Sequence, residues 1–233
     1  TYPLYRIATE QQRATFNASP LEAASASDGA DLTWVCVPNN PTGDRLPDSS
    51  VARIIESSRG VVVLDAAYAE FTGDQWGSWI DRYDNLLVLH TLSKGFGLAG
   101  IRVGYAIGSE PLISAIDRVR PPGSISTLSS TLAIAALSDP DRMRRAVADL
   151  IVERERLRDR LRALGLDVPP SDANFLLTHF GPTAPLVAAD LMSKGLVVRE
   201  FPHIPELVDH LRFTVRSETD NNRLIAALER TLS

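Results

Sequence analysis

Four short apolar runs limit what this chain can fold into. They are Leu32 to Val37, Val61 to Asp65, Leu86 to Thr91 and Val103 to Ile107. Each has strand length and is rich in β-branched residues. They are continuous rather than alternating, the pattern of strands covered on both faces, as in parallel sheets. Helical patterns separate them, including one that opens at Asp48, read as its cap, and runs to about Ser58. Strands alternating with helices predict an α/β fold with a largely parallel sheet.

Pro121-Pro122-Gly123 interrupts that alternation. A helix is expected near Thr127 to Leu137. A long one starts at Asp139-Pro140 and runs to about Leu164, with proline suited to the first turn. Its Glu153, Arg154, Glu155, Arg156 and Arg158 read as a solvated, self-paired face. Short strands follow at Asn174 to Leu177, Val197 to Arg199 and Leu211 to Val215, with helices near Pro185 to Lys194 and Thr219 to Leu232. Two lobes are expected, residues 1–138 and 139–233.

Composition narrows the function. A chain of 233 residues with 44% hydrophobic and 23% charged residues is globular. A net charge of -5 argues against nucleic acid or an anionic membrane as partner, since both call for a basic field. One cysteine, Cys36, leaves no internal disulfide and no multi-cysteine zinc site, and fits a reducing, cytoplasmic compartment. His179, His203 and His210 lack ligand spacing, so no metal is expected. No apolar run reaches membrane-span length. The start, Thr1-Tyr2-Pro3, reads neither as an initiator nor as a signal peptide, but as a beginning in the middle of something.

Ligands of open α/β sheets bind outside the carboxyl ends of the strands. Polar residues gather at such ends: Asn40, Asp65 and Tyr68, then Thr91, Ser93 and Lys94, with Arg102 opening the fourth strand. Gly95, Gly97, Gly100 and Gly104 surround the lysine. They serve either tight turns and packing, or a backbone passing close to a bound ring and phosphate. Their spacing is neither a Walker loop nor a dinucleotide fingerprint.

Pro38-Asn39-Asn40-Pro41-Thr42-Gly43, Asp65-Ala66-Ala67-Tyr68, Thr91-Leu92-Ser93-Lys94 and Gly100-Ile101-Arg102-Val103-Gly104-Tyr105 follow in order. Together they resemble the fold-type-I pyridoxal-phosphate aminotransferases, in the branch of histidinol-phosphate aminotransferase and threonine-phosphate decarboxylase. The resemblance runs from Tyr2 to the C-terminus. It implies an aspartate-aminotransferase-like fold, a large cofactor-binding domain (here residues 1–138, lacking its N-terminal part) and a small C-terminal α+β domain. It implies the cofactor pyridoxal 5'-phosphate, a small-molecule amino donor, a 2-oxo acid and a homodimer.

The resemblance also implies roles. Lys94 would condense with the cofactor aldehyde and carry the proton. Asp65 would pair with the ring nitrogen, Asn40 and Tyr68 would bond the ring's phenolic oxygen, and Tyr2 would stack on its face. Thr91, Ser93 and Arg102 would hold the phosphate, and Arg212 the anionic end of the substrate. Each role suits its residue. A carboxylate keeps the ring nitrogen protonated, hydroxyls and a guanidinium match a phosphate, and a tyrosine offers a flat apolar face. Ala66 departs from the Glu often found there. The family's phosphate loop at a helix N-terminus, and a tyrosine reaching the partner's site, precede the part that the resemblance covers.

Arg212 and Arg216 flank Thr214, and a strand continuing through 216 would put both cations on one face. Such a pair calls for an anion between them, or for acidic neighbours. Arg216-Ser217 stands where histidinol-phosphate aminotransferases carry Gly-Thr, which leans toward the decarboxylase branch. Three functions therefore remain open: transamination, decarboxylation of threonine phosphate, and a non-catalytic fragment. Asn174 resembles a position near the substrate or is structural, and Arg199 faces substrate or an acid such as Glu200. His90 reads as packing and Cys36 as inert core. Trp76 and Trp79 cover a surface or a subunit contact.

Overall fold

The computed structural model describes residues 1–19 and 29–232. They divide into two compact units, Thr1–Asn40 with Arg45–Arg144, and Pro41–Asp44 with Arg145–Ser233. The division falls inside the long helix, six residues beyond the expected change at 138, and gives Pro41–Asp44 to the second unit.

In the first unit, strands β1 (Leu32–Cys36), β2 (Val61–Asp65), β3 (Leu86–Thr91) and β4 (Gly104–Gly108) form one sheet in that order. β1, β2 and β3 are parallel, and β4 returns antiparallel to β3. The reversal has a local cause. The twelve residues between β3 and β4 hold no α-helix, only the short turn Ala99–Ile101, so the helical crossover that usually joins parallel strands is missing.

One face of the sheet presents Val35, Val62, Leu64, Leu86 and Val88 to a core shared with Val51, Ile54 and Ile55 of α2 (Asp48–Ser57). Those three residues recur at i, i+3 and i+4, so one helix stripe meets the sheet. Asp48 is not the cap expected from the sequence. Pro47 holds that position, and Asp48 is the first helical residue, its carboxylate 2.5 Å from Arg45. Two helices went unforeseen, α1 (Leu4–Gln11) and α3 (Glu110–Val119). α4 spans Thr127–Leu137 and is capped by Ser126, whose hydroxyl accepts from the Ser129 N–H. Trp76 belongs to the core and meets Trp79 edge to face at 4.8 Å.

In the second unit, most of α5 (Pro140–Ala163), α6 (Ala184–Ser193) and α7 (Glu218–Leu232) accompany an antiparallel pair, β5 (Phe175–His179) and β6 (His210–Thr214). Leu157, Leu161, Leu176, Leu191, Leu211 and Ile225 are among its core. The strand expected at Val197 to Arg199 is a single bridge, Arg199 opposite Arg212. The charged face of α5 is only partly solvated. Arg156 pairs with Glu153 and Arg158 with Glu155, but Arg154 is 6% exposed and donates to the Ala173 carbonyl at 3.0 Å. Among the described residues no helix is long and apolar enough to cross a membrane.

Candidate functional site

The polar strand ends of the first unit share one edge of the sheet. Cys36 stands opposite Asp65 at the ends of β1 and β2, and Asp65 opposite Leu89 in β3. β4 runs the other way, so Thr91 at the end of β3 meets Gly104 at the start of β4. Arg102, two residues before Gly104, is therefore delivered to the same edge. A parallel fourth strand would have carried it to the far side.

Asp65 is held by both oxygens. Its Oδ1 accepts from the Ala67 N–H at 3.1 Å, and its Oδ2 accepts from the phenol of Tyr5. Tyr68 follows in the turn leaving β2 and is buried. Lys94 Nζ lies over its ring, 5.4 Å from the centroid. Burial, followed by the charge of Asp65, pushes the Cys36 thiol up to about 11, so it stays protonated.

The segment from Thr91 to Arg102 is tied down by its own backbone. The Ser93 N–H donates to Thr91 Oγ1 at 3.1 Å, and the Gly97 N–H to the Lys94 carbonyl at 2.9 Å. Arg102 is left-handed, at φ 55° and ψ 42°, and its Nη1 donates to the Ala99 carbonyl at 2.9 Å. Few non-glycine residues adopt that conformation, and here it turns the chain into β4.

The glycines divide between the two meanings left open by the sequence. A Cβ on Gly95 would lie 2.7 Å from Cβ of Glu70, and one on Gly104 would lie 2.7 Å from the His90 carbonyl. Those two are reserved by internal packing. Gly97 has a positive φ of 68°, so it serves the turn. Gly100 faces open space. His90 packs as expected, its ring stacked on Tyr105 at 5.0 Å. Its Nδ1 lies 3.9 Å from Glu70.

Tyr2 is 40% exposed and meets Tyr5 edge to face at 5.7 Å. The donor set fits pyridoxal 5'-phosphate. A buried-edge carboxylate suits its ring nitrogen, a primary amine its aldehyde, and two hydroxyls with a guanidinium its phosphate. Asp65, Lys94, Thr91, Ser93 and Arg102 supply these, with Tyr2, Asn40 and Tyr68 in the same unit.

The second unit holds the remaining candidates. Arg212 lies in β6 with its guanidinium 4.8 Å from the Phe175 ring. Arg216 does not share its strand face, because β6 ends at Thr214. Its Nε instead pairs with Asp220 at 3.1 Å. The cation that faces across from Arg212 is Arg199, whose backbone exchanges hydrogen bonds with it at 3.2 and 2.9 Å. The sequence named Arg199 but could not place it, since pairing between distant strands leaves no local pattern. The Asn174 carbonyl accepts from the Val215 N–H at 2.9 Å.

The family model for aminotransferase class I and II matches residues 1–228. The histidinol-phosphate aminotransferase of Caldanaerobacter subterraneus subsp. tengcongensis is 39% identical over 94% of this chain and 62% of its own length. That of Pyrococcus furiosus is 40% identical over 90% and 59%. The chain thus spans about three fifths of the curated relatives it matches. The crystal structure of the Sinorhizobium meliloti histidinol-phosphate aminotransferase, in complex with pyridoxal-5'-phosphate, superposes with a TM-score of 0.90 at 26% identity, covering 99% of this chain and 68% of that one. The L-threonine-O-3-phosphate decarboxylase of Porphyromonas gingivalis shares the fold, with a TM-score of 0.89 at 22% identity over 100% and 74%.

Proposed function

The chain belongs to the class I and II aminotransferases, and from that premise we propose that it is the pyridoxal-phosphate-binding part of an aminotransferase of the histidinol-phosphate type. It would transfer an amino group between an anionic or phosphorylated amine and a 2-oxo acid, in the cytoplasm and as a homodimer. The observation that carries this reading is the sheet edge shared by Asp65, Thr91 and the approach of Arg102 to Gly104, with Lys94 over the Tyr68 ring that follows Asp65.

When bound, pyridoxal 5'-phosphate supplies an electron sink for negative charge on the carbon beside the substrate's amino group. The residues of the chain do the rest. Asp65 holds the proton on the ring nitrogen, and the Ala67 N–H fixes the plane of its carboxylate. Asn40 and Tyr68 orient the ring through its phenolic oxygen, and Tyr2 covers one face. Thr91, Ser93 and Arg102 anchor the phosphate by hydrogen bonds to a dianion. Lys94 holds the cofactor, then moves the proton between substrate carbon and cofactor carbon. Arg212, with Arg199 across from it, takes the anionic end of each substrate in turn. Two cations placed opposite each other across a bridge repel one another unless an anion joins them. Arg216 pairs with Asp220 on the exposed start of α7, and the decarboxylation of threonine phosphate stays the second reading, on the Arg216-Ser217 pair of the sequence.

The test is to incubate the chain with pyridoxal phosphate, reduce with borohydride and map the product by peptide mass spectrometry. One stoichiometric adduct on Lys94 is expected; scattered adducts, or none on Lys94, overturn the cofactor site. Substrate assays then separate the chemistries. Consumption of histidinol phosphate that depends on 2-oxoglutarate is expected, whereas carbon dioxide release from threonine phosphate would replace transfer with decarboxylation.

A further inference from the structure

Tyr5 lies behind Asp65, and nothing in the assigned roles uses it. Its ring is 4% exposed and stacks on Trp34 at 4.7 Å with 14° between the planes. The ring of Tyr2 abuts it edge-on at 5.7 Å. Trp34 and Cys36 lie two residues apart on β1, so both face the same side of the sheet. Parallel register puts Asp65 opposite Cys36. Tyr5 covers that side from α1, pinned by an indole and aimed at one carboxylate oxygen. Burial, and then the Cys36 thiol and the Asp65 carboxylate beside it, push the phenol far above its usual range, so it remains a donor.

A hydrogen bond donated to a carboxylate favours its charged form. A carboxylate held in that form leaves a shared proton on the base it faces. The Ala67 N–H occupies the other oxygen, so the two donors fix the plane of the group. The spacing also matters. Tyr2 precedes Pro3, the N-cap of α1, and Tyr5 lies in its first turn, so one short segment places a ring for the cofactor face and a phenol for the acid at its nitrogen.

We propose that Tyr5 is a positioning residue that acts through Asp65, fixing its carboxylate and keeping the proton on the cofactor's ring nitrogen. This deepens the function proposed above and rests on Asp65 facing that nitrogen.

The test is a double-mutant cycle of Tyr5→Phe and Asp65→Asn, read as the dissociation constant of pyridoxal phosphate by absorbance and fluorescence. It is paired with the nitrogen-15 shift of ring-labelled cofactor. Phenylalanine keeps the stack on Trp34 and removes only the hydroxyl. Loss of a charge-assisted hydrogen bond is expected to weaken binding by about tenfold in the Asp65 background. In the Asp65→Asn background the same change should cost less than about twofold, because coupling vanishes when its partner is gone. The ring resonance of Tyr5→Phe should move toward the unprotonated position. Equal losses in both backgrounds, an unmoved resonance, or a Tyr5→Phe chain that no longer melts cooperatively would each make Tyr5 structural and overturn the proposal. Failure of the unmutated chain to bind at Lys94 would instead remove the cofactor site itself, and this proposal with it.

Discussion

Thr91 and Gly104 stand opposite each other in the antiparallel pairing of β3 and β4. That one pairing sets the hydroxyl of Thr91 and the side chain of Arg102 at the same end of the sheet. It leaves no room for a larger residue at 104, where a Cβ would meet the His90 carbonyl at 2.7 Å.

Gly104→Ala is therefore expected to destabilise the chain by about 1–3 kcal/mol, since a backbone oxygen cannot swing aside as a side chain can. Gly100→Ala, with nothing within 4 Å of its Cβ, should stay within about 0.5 kcal/mol of the parent. Urea titrations of both variants test the pair. Equal stabilities would mean that β3 and β4 adjust freely.

Arg102 pairs a strained backbone with a useful side chain, and the two separate on mutation. In Arg102→Gly the left-handed conformation at φ 55° costs nothing further. Stability should hold or rise by up to about 1 kcal/mol. Affinity for pyridoxal phosphate should fall by about tenfold or more with the guanidinium gone. Thermal melts and a binding titration read the two effects apart. Unchanged affinity would take Arg102 out of the phosphate site.

Arg154 looks like one more surface charge of α5 and behaves as a buried clamp. Arg154→Met should cost about 2–3 kcal/mol, because the Ala173 carbonyl and Glu155 both lose a charged donor. Arg144→Met, at an exposed pair with Asp141, should change stability by less than about 0.5 kcal/mol. Denaturant midpoints of the two variants decide whether burial makes the difference.

His210 gives the second unit an acid-sensitive spot. Burial, and then the neighbouring His179 across the strand pair at 4.9 Å, lower its pKa, while Asp209 and Asp167 oppose the shift weakly. A histidine whose folded pKa is depressed contributes its full stability above the unfolded value of about 6.5. That contribution is lost as pH falls below it. Melting temperature should drop from pH 7 toward pH 5, and His210→Gln should flatten the dependence. A parent and variant that fall in parallel would assign the loss to other groups.

Much of the first unit is legible from the chain alone, because its strands are continuous apolar runs and its chemistry sits at their ends. Asp65, Lys94 and Arg102 stand out for that reason. What escapes sequence reading is non-local. The phenol of Tyr5 on Asp65, the carbonyl taken by Arg154 and the pairing of Arg199 with Arg212 each join segments with no shared periodicity. The supposed partnership of Arg212 with Arg216 assumed a strand two residues longer than β6, whereas Asp220 draws Arg216 toward the start of α7. Aspartate favours the cap position, yet at α2 Pro47 occupies it and the Asp48 carboxylate pairs with Arg45 instead.

Cys36 is the chain's only cysteine, 4% exposed, and its thiol donates to the Pro38 carbonyl at 3.4 Å. A sulfur that must first be uncovered and then ionised is a clock for the floor beneath Asp65. Its alkylation rate reports how often that floor opens, with no label added and no competing thiol to correct for. Any ligand that settles on the carboxyl edge of the sheet should slow that clock in proportion to its occupancy.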